Sequence, residues 1–132
     1  PVPLSAILSE KSSLKPPPLR QPCVGYRIGK VAYITDCSYI PKISFQRLVG
    51  VQTLFLDCVR LAPHRTHLNL ERALEIVSEL RPKKVFLTHL GHDFDTQTWN
   101  AKLARRGFLP ELIRRTTTVQ LAVDGLKVKA PL

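Results

Sequence analysis

No histidine occurs before position 64, no methionine occurs at all, and tryptophan appears once in 132 residues. No apolar run approaches the ~20 residues that a helical membrane span needs, so a membrane partner is not expected. Acidic residues are scarce, 10 Asp+Glu against 20 Lys+Arg, which leaves a net charge of +10. A surplus of that size favours an anionic partner or substrate, with phosphate esters and nucleic acid foremost. Aromatic residues are few and do not interleave the densest basic group, Lys102, Arg105, Arg106, Arg114 and Arg115. A platform that stacks single-stranded bases is therefore not indicated.

Cysteine is also sparse. Cys23, Cys37 and Cys58 are odd in number and widely spaced, fitting neither a disulfide framework nor a zinc pattern of closely paired thiols. Reduced, partly buried thiols are expected, which favours an intracellular, cytoplasmic setting. The opening Pro1-Val2-Pro3 lacks both an initiator methionine and a basic-then-apolar leader. That start reads as a processed chain or a fragment.

What is present suffices for one domain. Hydrophobic residues make up 44% of the chain, enough for a packed core. Pro3, Pro16, Pro17, Pro18 and Pro22 make residues 1–22 irregular, apart from a short strand over Leu4 to Leu8. Beyond them, residues 23–132 form the folded unit. Val24 to Ile28 and Val31 to Thr35 read as strands joined at Gly29-Lys30. Ser44 to Val49 is a short helix, and Thr53 to Val59 a buried strand. Asn69 to Leu80 is the clearest helix, with Leu70, Ala73, Leu74, Val77 and Leu80 on one face, and Asn69 as its cap. Lys84 to Leu87 is another buried strand, and Thr96 to Arg106 a helix stopped by Gly107. A last hairpin is expected from Val119–Val123 and Leu126–Lys129 around Asp124-Gly125. The strand–helix–strand unit over 53–87 implies parallel pairing and an α/β fold with a mixed sheet.

Polar residues collect where those strands end. Asp36 follows VAYIT, Asp57 follows TLFL, and the stretch VFLTHLGHDFD places His89, His92 and Asp93 after a third apolar run. Parallel strands bring Asp57 and His89 to one edge, and Asp36 joins them if its strand runs the same way. Histidine with carboxylate suits zinc, manganese or iron. The other two histidines, His64 and His67, lie in a Pro-flanked loop, and His64 reads as a surface or loop-packing residue.

The segments YITDCSYIP, LFLDCVRLAPHRTHLNLERALEIVSELRPKKVFLTHLGHDFD and VQLAVDGLKV together resemble the C-terminal half of the metallo-β-lactamase superfamily. Within it they are most similar to the branch of phosphodiesterases that act on phosphoribosyl 1,2-cyclic phosphate. More distant relatives are the tRNA 3′-processing ribonucleases. The resemblance implies the C-terminal αβ layer of an αββα sandwich: a mixed sheet with helices on one face. It implies that Asp36 bridges two divalent metal ions, zinc or manganese, and that His89 is a metal ligand. It assigns His67 to proton transfer at the scissile phosphate. Asp57, His92 and Asp93 then orient the ligands from behind.

The family's main metal motif, H-x-H-x-D-H, is absent, as is a further histidine expected in VPLSAILSEKSS. Asp36 and His89 cannot hold two ions, since each ion generally needs three or four protein ligands. The expectation is therefore a fragment of a metal-dependent phosphodiesterase whose dinuclear centre activates a hydroxide against a phosphate ester or cyclic phosphate. By itself the chain would be inactive and hold metal weakly or not at all. A missing N-terminal half or a second copy would cover the open sheet face. The alternative is a half-domain without catalysis, serving as an interaction or basic nucleic-acid-binding module.

Overall fold

The structure, a computed structural model, describes residues 23–64 and 66–130. The expected irregular segment over 1–22, with its short strand, lies outside the described residues. The elements run β1 (Tyr26–Ile28), β2 (Val31–Ile34), α1 (Lys42–Arg47), β3 (Thr53–Asp57), α2 (Leu70–Leu80), β4 (Lys84–Thr88), α3 (Thr96–Ala104), α4 (Glu111–Thr116) and β5 (Thr118–Leu121). The strands form one sheet in the order β1-β2-β3-β4-β5. Only the β1–β2 hairpin is antiparallel. β2, β3, β4 and β5 run parallel, so their C-terminal ends share one edge.

The helices pack against one sheet face; on the other, Tyr26, Ile28 and Tyr33 are exposed whereas Thr53 and Phe86 are buried. Alternation puts Ala32, Leu54, Leu56, Val85, Leu87, Val119 and Leu121 on the packed face, all buried. They form one core cluster with Phe45 of α1, Ala73, Ile76 and Val77 of α2, Leu103 of α3 and Ile113 of α4. The helices thus cover a single side, as the resemblance implied.

Helix α2 forms for the reasons visible in its sequence. The Asn69 side chain accepts from the Arg72 amide at 3.2 Å, and Glu71 lies in the first turn, where the helix dipole favours an anion. Its buried stripe is Leu70, Ala73, Ile76 and Val77, with Leu74 and Leu80 at the margin, a rotation from the face expected. Arg81 ends it in a left-handed conformation ahead of Pro82.

Most element ends shift by one or two residues, and three larger differences from expectation stand out. Helix α1 starts at Lys42, directly after Pro41. Helix α4 was not anticipated: its six residues are too few to show a periodic pattern, and Pro110 rather than a polar cap precedes it. The last hairpin is not formed. Gly125 makes its turn (φ +81°) and the Leu126 amide donates to the Val123 carbonyl at 3.1 Å, yet residues 126–129 do not pair as a strand. The outer edge of β5 is already occupied, because Asn100 of α3 accepts from the Leu121 amide at 2.7 Å and donates to its carbonyl at 3.5 Å. A returning strand would need those same backbone groups.

Candidate metal and phosphate site

The parallel register sets Ile34 beside Leu56 and Leu56 beside Leu87, with Asp57 beside Thr88. The residues that follow, Asp36 after β2 and His89 after β4, therefore leave the sheet at adjacent points. Both have φ of +57°. That left-handed conformation is uncommon outside glycine, although Asp and His tolerate it better than most, and it turns both side chains sharply off their strands.

Asp57 lies beneath them and is fully buried. Its Oδ1 faces His89 Nδ1 at 3.0 Å, and its Oδ2 faces His67 Nδ1 at 3.3 Å while accepting from the Leu68 amide at 3.1 Å. A carboxylate offers only lone pairs, so both rings carry the proton on Nδ1 and present the Nε2 lone pair away from Asp57. The His67 and His89 rings meet edge to face, with centroids 4.8 Å apart. Asp36 Oδ1 lies 3.2 Å from His89 Nδ1. Asp36 and His89 are solvent-exposed, as a group that meets a ligand must be.

Backbone cross-links position the loops. The Val59 amide donates to Leu68 O at 3.1 Å and the Leu70 amide to Arg60 O at 3.0 Å, which folds the His67 loop back onto the end of β3. The Gly91 amide donates to Val59 O at 2.9 Å, and the Leu61 amide to Asp93 Oδ2 at 3.0 Å. Asp93 thus ties the two histidine loops together rather than touching a histidine ring. Gly91 is required by this approach: a Cβ there would lie 2.5 Å from Val59 O.

His92 is exposed, and among the described residues no hydrogen bond or ion pair involves it. His64 is half-buried, and its ring stands 5.4 Å from that of His67. That adjacency was missed in the sequence, where the three-residue spacing in a loop carries no direction. The thiols are free, Cys23 exposed and Cys37 and Cys58 buried. Burial, and then the Asp57 carboxylate, push both buried thiols up to about 12. Neither is a nucleophile near neutrality.

One ligand atom each from Asp36, His67 and His89 lie within 4.8 Å of one another. Two donors bound to the same zinc-sized ion, each ~2.1 Å away, lie at most ~4.2 Å apart, so the three groups are clustered but stand wider than a closed coordination sphere. By donor chemistry Asp36 and His89 suit one divalent ion, with His67 beside them and Nδ1 of both rings committed to Asp57. Among the described residues this set does not supply a second sphere, so the two-ion centre implied by the resemblance needs donors from elsewhere.

The comparisons with known proteins bear on the same residues. A family described as a beta-lactamase superfamily domain matches residues 4–90, a range that includes Asp36, Asp57, His67 and His89. A solved structure of a new diphosphatase from the PhnP family matches with a TM-score of 0.69 and 38% identity, over 82% of this chain and 38% of that one. An octanoyltransferase of Porphyromonas gingivalis is 30% identical over 74 residues, 55% of this chain and 15% of that protein. The chain thus spans well under half the length of either.

Proposed function

The chain belongs to the beta-lactamase superfamily of domains, and from that premise we propose that it is the C-terminal part of a metal-dependent phosphodiesterase acting on a phosphate ester or cyclic phosphate. The observation that carries the reading is the single buried carboxylate, Asp57, holding two imidazoles in one tautomer beside Asp36. Asp36 and His89 would hold zinc or manganese, which when bound acts as a Lewis acid and makes a water nucleophilic near neutral pH.

The chain's own residues account for the remaining steps. His67 presents its Nε2 lone pair and can take or return a proton at an oxygen of the phosphate. Asp57 stabilises the imidazolium that results, because Nδ1–H already points at Oδ2. His89 is held by the same carboxylate, so ligand and proton carrier move as one unit. Asp93 fixes the distance between their loops. The net charge of +10 draws an anionic ester toward the site.

Two further parts complete the proposal. The remaining metal donors come from an N-terminal half or from a second copy, either of which also covers the open sheet face. The competing reading, an interaction or nucleic-acid-binding half-domain, is favoured by the incomplete donor set. Its basic cluster is partly committed within the fold, since Glu111 pairs with Arg114 and Arg115 and Lys102 sits 4.4 Å over the Trp99 ring.

The test uses the natural chain that carries this sequence, reconstituted with zinc or manganese and assayed on bis(p-nitrophenyl) phosphate and a cyclic nucleotide phosphate. Substituting His89→Ala should abolish metal retention and hydrolysis together. Replacing His67→Ala should slow hydrolysis by about 10²–10⁴-fold, the range for a general acid or base. Full activity in the His89→Ala protein would sink the proposal. A wild-type protein that retains no metal would select the competing reading.

A further inference from the structure

Three of the four histidines have Nδ1 engaged, and the partner of that nitrogen sets which role the free edge can play. His67 and His89 direct Nδ1 at a carboxylate, so their free Nε2 edge is an acceptor. His64 is the reverse. Its Nδ1 accepts from the Thr66 backbone amide at 3.3 Å, with the Thr66 hydroxyl 3.2 Å away. An amide N–H can only donate, so Nδ1 of His64 carries a lone pair and the neutral ring holds its proton on Nε2. In that tautomer Nε2 cannot ligate a cation, but it can donate to an anionic oxygen. The ring is half-buried and stands 5.4 Å from that of His67, which in turn meets His89 at 4.8 Å, so the three imidazoles adjoin.

We infer that His64 is a substrate-contacting residue whose Nε2–H binds a phosphate oxygen of the ester held at Asp36, His67 and His89. This rests on the phosphodiesterase reading above and adds to it the residue that reads the phosphate itself. The geometry separates two roles for the ring. Nδ1 accepts from the Thr66 amide, and Nε2 serves the ligand.

Two substitutions separate them in the laboratory. In His64→Asn the amide oxygen replaces Nδ1 and keeps the bond to Thr66, because Asn accepts readily from the amide two residues on, but no donor remains at the Nε2 position. In His64→Gln a side-chain NH₂ reaches the Nε2 position, while the bond to Thr66 is lost. The natural metal-loaded protein is titrated with inorganic phosphate, and its metal content is measured alongside. The Asn variant should bind phosphate more weakly by on the order of 10- to 100-fold, the range for a hydrogen bond to a charged group, with metal content unchanged. The Gln variant should recover most of that loss, and KM for the ester should follow the same order with kcat changing less.

Nitrogen-15 NMR of the wild-type rings gives a readout independent of activity. His64 should show a protonated Nε2, and phosphate should shift that nitrogen. Unchanged phosphate affinity in the Asn variant, or a protonated Nδ1 at His64, overturns the inference while wild-type hydrolysis leaves the underlying reading intact. A wild type without metal or hydrolysis overturns that reading, and this inference with it.

Discussion

Asp57 serves two histidines and a backbone amide while fully buried. Replacing it with Asn keeps the volume but offers one acceptor oxygen, so one of the two rings must face an NH₂ group and change tautomer. Metal affinity should fall by about 10–100-fold, the usual cost of losing a partner that orients a metal-ligating histidine, as measured by chelator competition on the natural protein. Asp36 behaves oppositely. Its left-handed backbone is held at a cost of ~1–2 kcal/mol, and its side chain is two-thirds exposed. Substituting Asp36→Gly should therefore raise the thermal midpoint by a few degrees while weakening metal binding, a pairing that differential scanning calorimetry with and without metal would show. Cys37 and Cys58, raised from an ordinary 9.0 to about 12 by burial and then by Asp57, set an alkaline limit. The unfolded thiols ionise from about pH 9 whereas the folded ones hold their protons. Stability is therefore whole below pH 9 and declines as pH rises from there toward 12. Double substitution of Cys37 and Cys58 by Ala should remove that alkaline decline in urea titrations, whatever it does to stability at pH 7. At this scale the strand-end positions of Asp36, Asp57 and His89 were readable as residues that follow apolar runs, while His67 was singled out by the resemblance alone. The adjacency of His64 to His67 was not readable, because a loop has no period from which to read direction.

Strands and helices were largely readable because their patterns are long. The strands at 53–57 and 84–88 are continuous apolar runs, as strands of a parallel interior must be, and the α2 stripe repeats over three turns. What escaped was set by tertiary context: the short α4, and the strand at 126–129 that Asn100 prevents by occupying Leu121. The junctions between elements place the site, and Gly91 is the most exacting of them. Substituting Gly91→Ala would drive a methyl group to 2.5 Å from Val59 O, against a backbone amide that now donates to that same oxygen at 2.9 Å. Backbone must shift, and the loops of His67 and His89 separate. The expected cost is ~1–3 kcal/mol of stability, within the range for overpacking. Loss of amide-exchange protection should be confined to residues 58–68 and 89–93. Protection lost evenly across the sheet would show that the junction has no such local role.

At the scale of the whole molecule, the sheet carries an aromatic row on the face the helices leave open. Cross-strand register aligns Tyr26, Tyr33, Phe55 and Phe86 with Gln120. Phe55 stacks on Phe86 at 5.2 Å and meets the Tyr33 ring at a tilt at 5.9 Å, while Tyr26 and Ile28 remain more than 60% exposed. Asp57 lies on this same face by alternation, so whatever covers the row also abuts the proposed metal donors Asp36 and His89. Phe86 is buried and Phe55 half-buried, so the adhesive part of the row is its Tyr26, Ile28 and Tyr33 end, where each Å² of apolar surface covered is worth ~25 cal/mol. The separate 132-residue chain should therefore bind a hydrophobic dye and self-associate with rising concentration in sedimentation runs. Paired Tyr26→Ser and Tyr33→Ser substitutions should reduce both signals. If an N-terminal half is the natural cover, the longer native chain binds no dye and sediments as a monomer. If a second copy is the cover, the chain stops at a discrete dimer, and that dimer gains metal affinity over the monomer because its two sites lie along the shared face. A separate chain that remains monomeric and dye-free at high concentration would show that the open face needs no cover, and would remove the argument that the missing donors arrive with one.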